Sequence, residues 1–483
     1  MVLVVDLFRS TLKTQSVSIG KYIRRASARS RTNAPPLRIV TNVDERRNIP
    51  ATDRVLDEPW LAAAVERFGR ERVKRAVHTA QRRARAREIP AEQVTEEAAA
   101  NLPASVGGLR PVLNATGVLL HTNLGRAPLS EAAVLALREA AGTCDVELDL
   151  HTGARGRRGA SVTRGLLDAV PEAGSAHVVG NGAAALTLAA TALAGDREIV
   201  LARGEMVEIG AGFRIPDLLC STGARLREVG TTNRVELADY RAAVGAETGF
   251  VLKVHPSNFV ISGFTSSVEP GELGGLDVPL VVDIGSGLLE PHPGLPDEPD
   301  ARTTLRAGAD LVVASCDKLL GGPQAGLLLG RAAIIDTLRR HPLARALRPD
   351  KLTLAALHAT LNGPPTPTAR ALDRSHRELR ARAERIAESA RAAGVAATAV
   401  DTVASIGGGG APGVEPDSAA VALPEPYSAR LRGSTPPVLT RVETGRCLVD
   451  LFALGPEQDA ELTGAILRSA ERADPTPRRA PCE

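Results

Sequence analysis

The stretch "SCDKLLGGPQAG", residues 315–326, places Lys318 between an apolar run and a pair of glycines. Lysine side chains normally lie on solvated surfaces. Here the preceding run "ADLVVAS" (309–315) is rich in β-branched apolar residues and predicts a buried strand. The glycines after Leu320 predict a tight turn. Lys318 is therefore expected to point into the protein at the end of a buried strand, where an amine needs a chemical role.

Similar apolar runs alternate with Ala- and Leu-rich helical stretches on either side of this one. This rhythm predicts an α/β fold with a mostly parallel sheet and helices on both faces. Ligands of such sheets bind at the carboxyl ends of the strands. The predicted strands are 176–181, 198–202, 225–230, 249–255, 279–285, 309–315 and 325–330.

Polar groups follow several of these runs. Asp283 ends "PLVVDIG", and a carboxylate there needs a partner because an unpaired buried charge is costly. Ser315, Asp317 and Lys318 end the next run. "HVVGNGAAALTLAA" passes from a strand through a small-residue loop into a helix, whose first N–H groups suit a phosphate.

These strand ends together suit pyridoxal 5′-phosphate. Lys318 would form the Schiff base, since desolvation lowers the pKa of an amine and makes it nucleophilic. Asp283 would keep the ring nitrogen protonated, and Asn258 would reach the ring hydroxyl. The phosphate would be held by Ser315 and the loop residues, which are Asn181, Gly182 and Ala183.

A competing motif is S-x-x-K of penicillin-recognising acyl enzymes, which Ser315 to Lys318 also matches. Its companions S-D-N and K-T-G are absent from the chain, and here the motif ends a strand instead of starting a helix. This alternative is discarded. The glycine run "GGGGAPG" (407–413) is interpreted as a structural turn, because Ala and Pro follow where a dinucleotide site would open a helix.

The front of the chain is basic. Residues 1–100 hold 20 Lys and Arg against 12 Asp and Glu, a net charge of +8. Because the whole chain has a net charge of +3, residues 101–483 have a net charge of −5. Residues 47–104 predict a small helical domain, with one apolar stripe running through 57–89 until Pro90 stops the helix. A polyanion partner and a merely solvated helix both explain the charge. The candidate contacts are Arg70, Lys74, Arg82 and Arg83.

Composition excludes several classes of protein. No apolar run approaches the ~18–20 residues that span a bilayer, so no membrane partner is expected. The five cysteines are scattered and none has zinc-ligand spacing, which predicts reduced thiols in a cytoplasm and no metal site. Residues 1–46 are interpreted as a disordered extension, with a transit peptide as the alternative. The pattern predicts a large domain at residues 105–345, followed by a small α/β domain at 346–472. Residues 473–483 are interpreted as a disordered tail.

Seven long blocks resemble the bacterial selenocysteine synthases, the L-seryl-tRNA(Sec) selenium transferases. The resemblance runs from about Arg47 to about Leu454. The blocks are "LNATGVLLHTNLGRAPLS" (113–130), "ARGEMVEIGAGFRIPDL" (202–218), "EVGTTNR" (228–234), "HPSNFVISGFT" (255–265), "DIGSG" (283–287), "CDKLLGGPQAG" (316–326) and "PLARALRPDKLTLAAL" (342–357).

The resemblance implies a fold-type I (aspartate-aminotransferase-like) pyridoxal-phosphate enzyme with a small helical N-terminal domain that binds tRNA(Sec). It implies conversion of L-seryl-tRNA(Sec) to L-selenocysteinyl-tRNA(Sec) with selenophosphate, through an aminoacrylate intermediate formed by β-elimination before selenium adds. It places the catalytic pair on Lys318 and Asp317, and the selenophosphate contacts on Arg126, Arg345 and Arg348. It also implies a homo-oligomer, a ring of dimers, without DNA as a partner.

Two positions depart from the family pattern. Gly180-Asn181-Gly182 replaces a run of asparagines, which weakens Asn181 as a contact and keeps the backbone cradle. Cys316 replaces a glycine before Asp317. Two other functions remain open at this point: a pyridoxal-phosphate lyase of small amino acids, and a catalytically idle tRNA-binding protein. The intact basic domain argues against the first, and Asp283 with Lys318 against the second.

Overall fold

The computed structural model describes residues 48–103, 105–210 and 212–471. The predicted extension 1–46 and tail 473–483 lie outside these residues. The chain divides into two compact units between Arg110 and Pro111, six residues after the predicted end of the helical domain at 104.

The first unit is helical, as predicted, but the expected single helix over 57–89 is wrong. Gly69, at φ 81° and ψ 142°, separates two helices, and the second ends at Arg85, before Pro90. The apolar side chains of Val55, Leu61 and Val77 meet in a small core. The helices are α1 (Thr52–Leu56), α2 (Pro59–Phe68), α3 (Arg70–Arg85) and α4 (Val94–Ala100).

The second unit contains two main sheets with helices packed against them. Its strands are β1 (Leu113–Ala115), β2 (Val118–Leu120), β3 (Ser175–Val179), β4 (Glu198–Ala202), β5 (Glu208–Ile209), β6 (Phe213–Arg214), β7 (Arg225–Val229), β8 (Thr248–Val254), β9 (Leu280–Gly285), β10 (Leu311–Ser315), β11 (Gly326–Gly330), β12 (Thr398–Val403), β13 (Ser405–Gly407), β14 (Asp417–Pro424), β15 (Val438–Glu443) and β16 (Arg446–Asp450).

The helices of this unit mostly connect successive strands. They are α5 (Glu131–Ala140), α6 (Ala160–Ala169), α7 (Gly182–Ala189), α8 (Ile215–Cys220), α9 (Leu237–Ala243), α10 (Pro270–Leu273), α11 (Ala301–Arg306), α12 (Ala332–Arg340), α13 (Pro342–Ala346), α14 (Lys351–Asn362), α15 (Pro367–Leu372), α16 (His376–Ala392), α17 (Tyr427–Arg432) and α18 (Asp459–Glu471).

The larger sheet has the order β3-β11-β10-β9-β8-β4-β7. The pairs β7–β4, β4–β8, β8–β9 and β9–β10 are parallel, and β11 runs antiparallel to both β10 and β3. Its strands are buried on both faces, since two apolar clusters enclose them. The prediction of a mostly parallel sheet is therefore confirmed. The carboxyl ends of its parallel strands meet at one edge.

The smaller sheet has the order β1-β15-β16-β14-β12. β1 pairs in parallel with β15, Leu113 lying opposite Val438, and β2 pairs with β13 in the same way. Residues 113–120 were predicted to belong to the large domain, and β1 among them joins the smaller sheet. Both pairings join residues nearly 300 or more positions apart, which no local pattern reveals.

The predicted domain boundary at 345/346 falls at the end of α13. α14 packs against α5 and α6, and its residues Leu354 and Leu357 belong to the apolar cluster under the larger sheet. Ala371 of α15 belongs instead to the cluster under the smaller sheet. The chain therefore changes sheets between α14 and α15. Across the described ranges, no helix is long and apolar enough to cross a membrane.

Candidate active site

Lys318 lies three residues beyond the end of β10, where the chain turns back into β11. The N–H of Cys316 donates to the carbonyl of Ala325 at 2.9 Å, and the N–H of Gly321 donates to the carbonyl of Lys318 at 3.0 Å. This tight turn keeps the lysine at the sheet edge, with only 7% of the residue exposed. The inward orientation predicted from the sequence is confirmed.

The electrostatic surroundings of Lys318 favour a reactive amine. Burial lowers the pKa of its ammonium group, and this is opposed mainly by the nearby carboxylate of Asp283. Burial in turn raises the pKa of Asp283, which the charge of Lys318 and the N–H of Gly285, donating to Oδ1 at 3.0 Å, counteract. The two groups therefore form a coupled pair at the ends of adjacent parallel strands.

The start of α7 forms an anion cradle next to this pair. The side chain of Asn181 accepts the N–H of Ala184 at 2.8 Å, so it caps the helix. The N–H groups of Gly182 and Ala183 belong to the first turn of α7, where the helix itself offers them no acceptor. A Cβ at Gly182 would lie 2.6 Å from Oγ of Ser315, so the serine hydroxyl closes the cradle.

Arg126 reaches the same place from the segment after β2. Its guanidinium pairs with Oδ2 of Asp317 at 2.6 Å, and the N–H of Ala127 donates to the carbonyl of Asp317. The backbone of Arg126 is left-handed, at φ 63°. The positive charge of Arg126 lowers the pKa of Lys318 further. Asp317 therefore holds an arginine beside the lysine.

Arg345 and Arg348 lie around α13, close to the cradle. The carbonyl of Leu347 between them accepts the N–H of Gly180 at 2.9 Å. Arg348 lies 3.7 Å from Oε1 of Glu147, a carboxylate that Arg155 and Arg158 also contact. Arg345 is exposed and forms no ion pair with any residue that the structure describes.

Asn258 is not brought to the lysine in the expected way. It is exposed, and its Nδ2 donates to the carbonyl of Glu208 at 3.0 Å. The preceding residue, Ser257, is buried. A Cβ built on Gly285 would lie within 3.3 Å of the Ser257 side chain and 3.8 Å from Nζ of Lys318, so both side chains border the same point. Position 257 therefore faces the site more directly than position 258.

The glycine run after β13 was interpreted as a turn without chemistry, yet it lies against Lys318. A Cβ on Gly409 would lie 2.5 Å from Cε and 2.8 Å from Nζ of the lysine. Four successive glycines permit this close approach of backbone to side chain. The run of glycines indicated a close approach of the backbone to another group, but no local sequence pattern showed that this group is Lys318.

The basic surface of the first unit lies mainly on α3. Val73, Val77 and Ala80 face the core of the unit, which leaves Arg72, Arg75 and Arg82 on the solvated side. The four predicted contacts differ in how free they are. Arg70 lies 3.4 Å from the carboxylate of Asp53, and Lys74 is half-buried. Arg82 donates only to the hydroxyl Oγ1 of Thr79 among its described partners. Arg83 forms ion pairs with two carboxylates, those of Glu88 and Glu97.

Comparison with solved structures supports the fold. The structure of D-glucosaminate-6-phosphate ammonia-lyase matches with a TM-score of 0.53 and 20% identity, covering 76% of this chain and 98% of that chain. A buried strand-end lysine coupled to an aspartate, beside a helix-start cradle on this sheet, defines a pyridoxal-phosphate-dependent enzyme of fold type I.

Comparison with sequences gives the family. The family description "L-seryl-tRNA selenium transferase" matches residues 112–455, and "Selenocysteine synthase N terminal" matches residues 46–85. The L-seryl-tRNA(Sec) selenium transferase of Geobacter sulfurreducens is 42% identical, covering 87% of this chain and 98% of the relative. The L-seryl-tRNA(Sec) selenium transferase of Methylocella silvestris is also 42% identical, covering 85% of this chain and 95% of the relative. The chain belongs to the L-seryl-tRNA selenium transferase family, which confirms the resemblance.

Proposed function

We propose that this chain converts L-seryl-tRNA(Sec) into L-selenocysteinyl-tRNA(Sec), with selenophosphate as selenium donor and pyridoxal 5′-phosphate bound at Lys318. The observation that carries the proposal is the buried Lys318 amine at the end of β10, coupled to Asp283. Family membership supports the substrate, because two relatives matched over nearly their whole length are named for this activity.

The residues present fit pyridoxal phosphate. The first-turn N–H groups of Gly182 and Ala183, with the hydroxyl of Ser315, suit its phosphate, and glycine at 182 leaves the room that a side chain would fill. The carboxylate of Asp283 suits a protonated ring nitrogen. When bound there, the cofactor supplies an electron sink for the bonds broken at the serine Cα.

Lys318 has two tasks in this proposal. Its lowered pKa increases the neutral fraction of the amine near neutral pH, which makes Nζ a nucleophile. The same Nζ, once free, removes the proton from the serine Cα, because a neutral buried amine is a suitable general base. For Asp317, predicted to be catalytic together with Lys318, the contact that supports a role is its 2.6 Å ion pair with Arg126, which orients the arginine beside the lysine.

Three arginines are proposed to bind selenophosphate. A guanidinium binds a phosphate-like group through two parallel hydrogen bonds. Arg126 is held by Asp317 beside the lysine, whereas Arg345 and Arg348 flank Leu347, whose carbonyl contacts the cradle. Arg345 is the strongest candidate, since it has no ion pair with a described residue that the anion would have to displace.

The helical unit is proposed to bind the tRNA through α3. Arg72, Arg75 and Arg82 are exposed on its solvated side and would neutralise phosphates. Of the residues chosen from sequence, Arg82 keeps this role. Arg83 is weaker, because two glutamates already neutralise it.

We further propose a cytoplasmic homo-oligomer, a ring of dimers. A cavity of about 830 Å³ between α5, α6 and α14 is lined in part by the exposed apolar side chains of Leu135 and Leu148, which a second copy would cover. The exposed thiols of Cys144 and Cys220 are unpaired, which is consistent with a reducing compartment.

The decisive test replaces Lys318. Lys318→Ala and Lys318→Arg are expected to lose the visible absorption of the bound cofactor and to lower the rate of selenocysteinyl-tRNA(Sec) formation by at least about 10²–10⁴-fold. Lys318→Arg keeps the positive charge, so it separates charge from amine chemistry. Circular dichroism controls for folding. A folded Lys318→Ala variant that retains the absorption would remove the assignment.

A further inference from the structure

A buried glutamate, Glu298, lies beside the lysine site. It belongs to the segment between β9 and α11, and 1% of its side chain is exposed. Its Oε2 accepts the N–H of Ala411 at 2.6 Å and lies 3.2 Å from Nε2 of His255. Its Oε1 has no hydrogen-bond partner among the described residues. Burying a carboxylate with one oxygen unsatisfied is costly, so its presence calls for an explanation.

The two partners of Glu298 come from different parts of the second unit. His255 directly follows β8, and its N–H donates to the carbonyl of Asp283 at 2.9 Å. Ala411 belongs to the glycine segment, residues 407–413, which starts at the last residue of β13. Glu298 therefore connects the end of β8 in the larger sheet, which contacts Asp283, with a segment that starts at the separate β2–β13 pair.

The glycine segment is the part of this connection that touches Lys318. A Cβ on Gly409 would overlap Cε of the lysine at 2.5 Å, and one on Gly410 would lie 3.0 Å from Cδ1 of Leu319. The backbone of the segment thus packs directly on the lysine. It is fixed at Gly407, which pairs with Leu120, and at Ala411, which adopts a left-handed conformation at φ 45°.

We propose that Glu298 is a positioning residue, which holds the glycine segment over Lys318 by accepting the N–H of Ala411 and contacting His255. Residues 408–410 have their own tertiary contacts, but only Ala411 in this segment donates to a buried carboxylate. Without this hydrogen bond the segment would lift, and small molecules would reach the amine of Lys318. The inference deepens the proposed function, because it rests on Lys318 as the reacting amine.

The charge of Glu298 is consistent with this position. Among the charges that act on Lys318, Asp283 raises the pKa of the amine most, and Glu298 acts in the same direction.

The test uses the full chain freed of cofactor and the amine reagent trinitrobenzenesulfonate. Peptide mass spectrometry follows the labelling of Lys318 in the wild type and in Glu298→Ala. A charge-assisted hydrogen bond to a buried carboxylate is worth enough that its loss should raise the labelling rate about 10-fold or more. The matched control is Asp297→Ala, which removes the adjacent, exposed acid and should leave the rate unchanged. Equal rates in the two variants would overturn the proposal.

A second measurement keeps the proposal testable if Glu298→Ala does not fold. Hydrogen exchange of the wild type should show the Ala411 amide protected, and Glu298→Gln, which retains an acceptor oxygen, should preserve this protection. Labelling of Lys318 is compared at a pH where its rate no longer rises, so that the lost charge of Glu298 does not change the fraction of neutral amine, and there Glu298→Gln should stay as slow as the wild type. An Ala411 amide that exchanges as fast as an unstructured one would also overturn the proposal. Neither measurement needs substrate or cofactor, so a failure of the proposed function would be seen separately, in the Lys318 variants.

Discussion

The thiol of Cys316, next to the lysine, is kept protonated by its surroundings. The residue is fully buried, and burial together with the charge of Asp317 raises the pKa of its thiol well above the ordinary value of 9.0. Only the thiolate is a good nucleophile. Cys316 therefore acts as a small apolar side chain. Redox or nucleophilic chemistry is not expected from it near neutral pH.

The neighbouring lysine has the opposite character, which gives a pH-dependent prediction. Burial lowers the pKa of Lys318 from 10.5. Labelling by trinitrobenzenesulfonate consumes the neutral amine, so its rate rises with pH and levels off above the pKa. In cofactor-free protein the half-maximal rate at Lys318 is expected at a lower pH than for free Nα-acetyllysine. A midpoint at or above that of the reference would contradict the proposed activation of Lys318.

Residues at the ends of strands could be predicted from the sequence, and residues brought in by other segments could not. Asp283, Ser315 and Lys318 follow buried runs, so parallel pairing alone placed them at one edge. Glu298 and Gly409 lie in irregular segments after β9 and β13, and only tertiary packing brings them to the lysine. Asn258 lies in the irregular segment after β8, where its side chain donates to the carbonyl of Glu208, so the sequence could not show which residue of that segment faces the lysine.

At the scale of elements, the long buried strands were predicted within one or two residues. Runs such as 198–202 are apolar throughout, as central parallel strands are. β1 was missed because three residues carry no periodicity and its partner β15 is remote in sequence. The break between α2 and α3 was missed because the apolar stripe continues across Gly69 at nearly the same period. Periodicity reports which face is buried, but it does not report the backbone conformation of a single glycine.

Gly69 allows this point to be tested. A Cβ there would meet nothing within 4 Å, so the cost of Gly69→Ala comes only from the backbone at φ 81°. We expect a loss of about 1–3 kcal/mol in the free energy of unfolding of the helical unit. Trp60, the single tryptophan of the chain, lies in α2 and reports this unfolding by fluorescence in urea.

Gly107 provides the matched control for Gly69. A Cβ on Gly107 also meets nothing within 4 Å, but its φ lies outside the left-handed region. Gly107→Ala should therefore leave the urea midpoint of the Trp60 transition unchanged or slightly higher. If both substitutions shift the midpoint equally, the separation of α2 from α3 does not depend on the conformation of Gly69.

At the scale of the whole molecule, chemistry and charge are divided between the two units. The groups proposed for catalysis all belong to the second unit, and the exposed arginines of α3 belong to the first. A substrate that is small at its reacting end and polyanionic elsewhere makes use of both. The basic front of the chain was recognisable from charge alone, but charge could not separate exposed arginines from Arg83, which two glutamates engage.

This difference gives a prediction for tRNA binding by the full chain. Arg75 and Arg82 lie on the solvated side of α3, and neither pairs with an acidic residue that the structure describes. Each phosphate contact adds about 0.7–0.9 to the slope of log affinity against log salt. The double variant Arg75→Ala/Arg82→Ala is therefore expected to weaken binding of seryl-tRNA(Sec) at low salt and to reduce this slope by roughly 1.4–1.8. Filter binding over a range of salt concentrations measures both quantities.

Arg83→Ala is the matched control, because it removes an arginine of the same helix that is already neutralised by Glu88 and Glu97. We expect its salt slope to remain that of the wild type, since no phosphate contact is lost. Cofactor absorption at Lys318 should be unchanged in all three proteins, because the substitutions lie in the other compact unit. A double variant with wild-type affinity and slope would show that the basic side of α3 is only a solvated surface, and the tRNA contacts would have to be sought elsewhere in the chain.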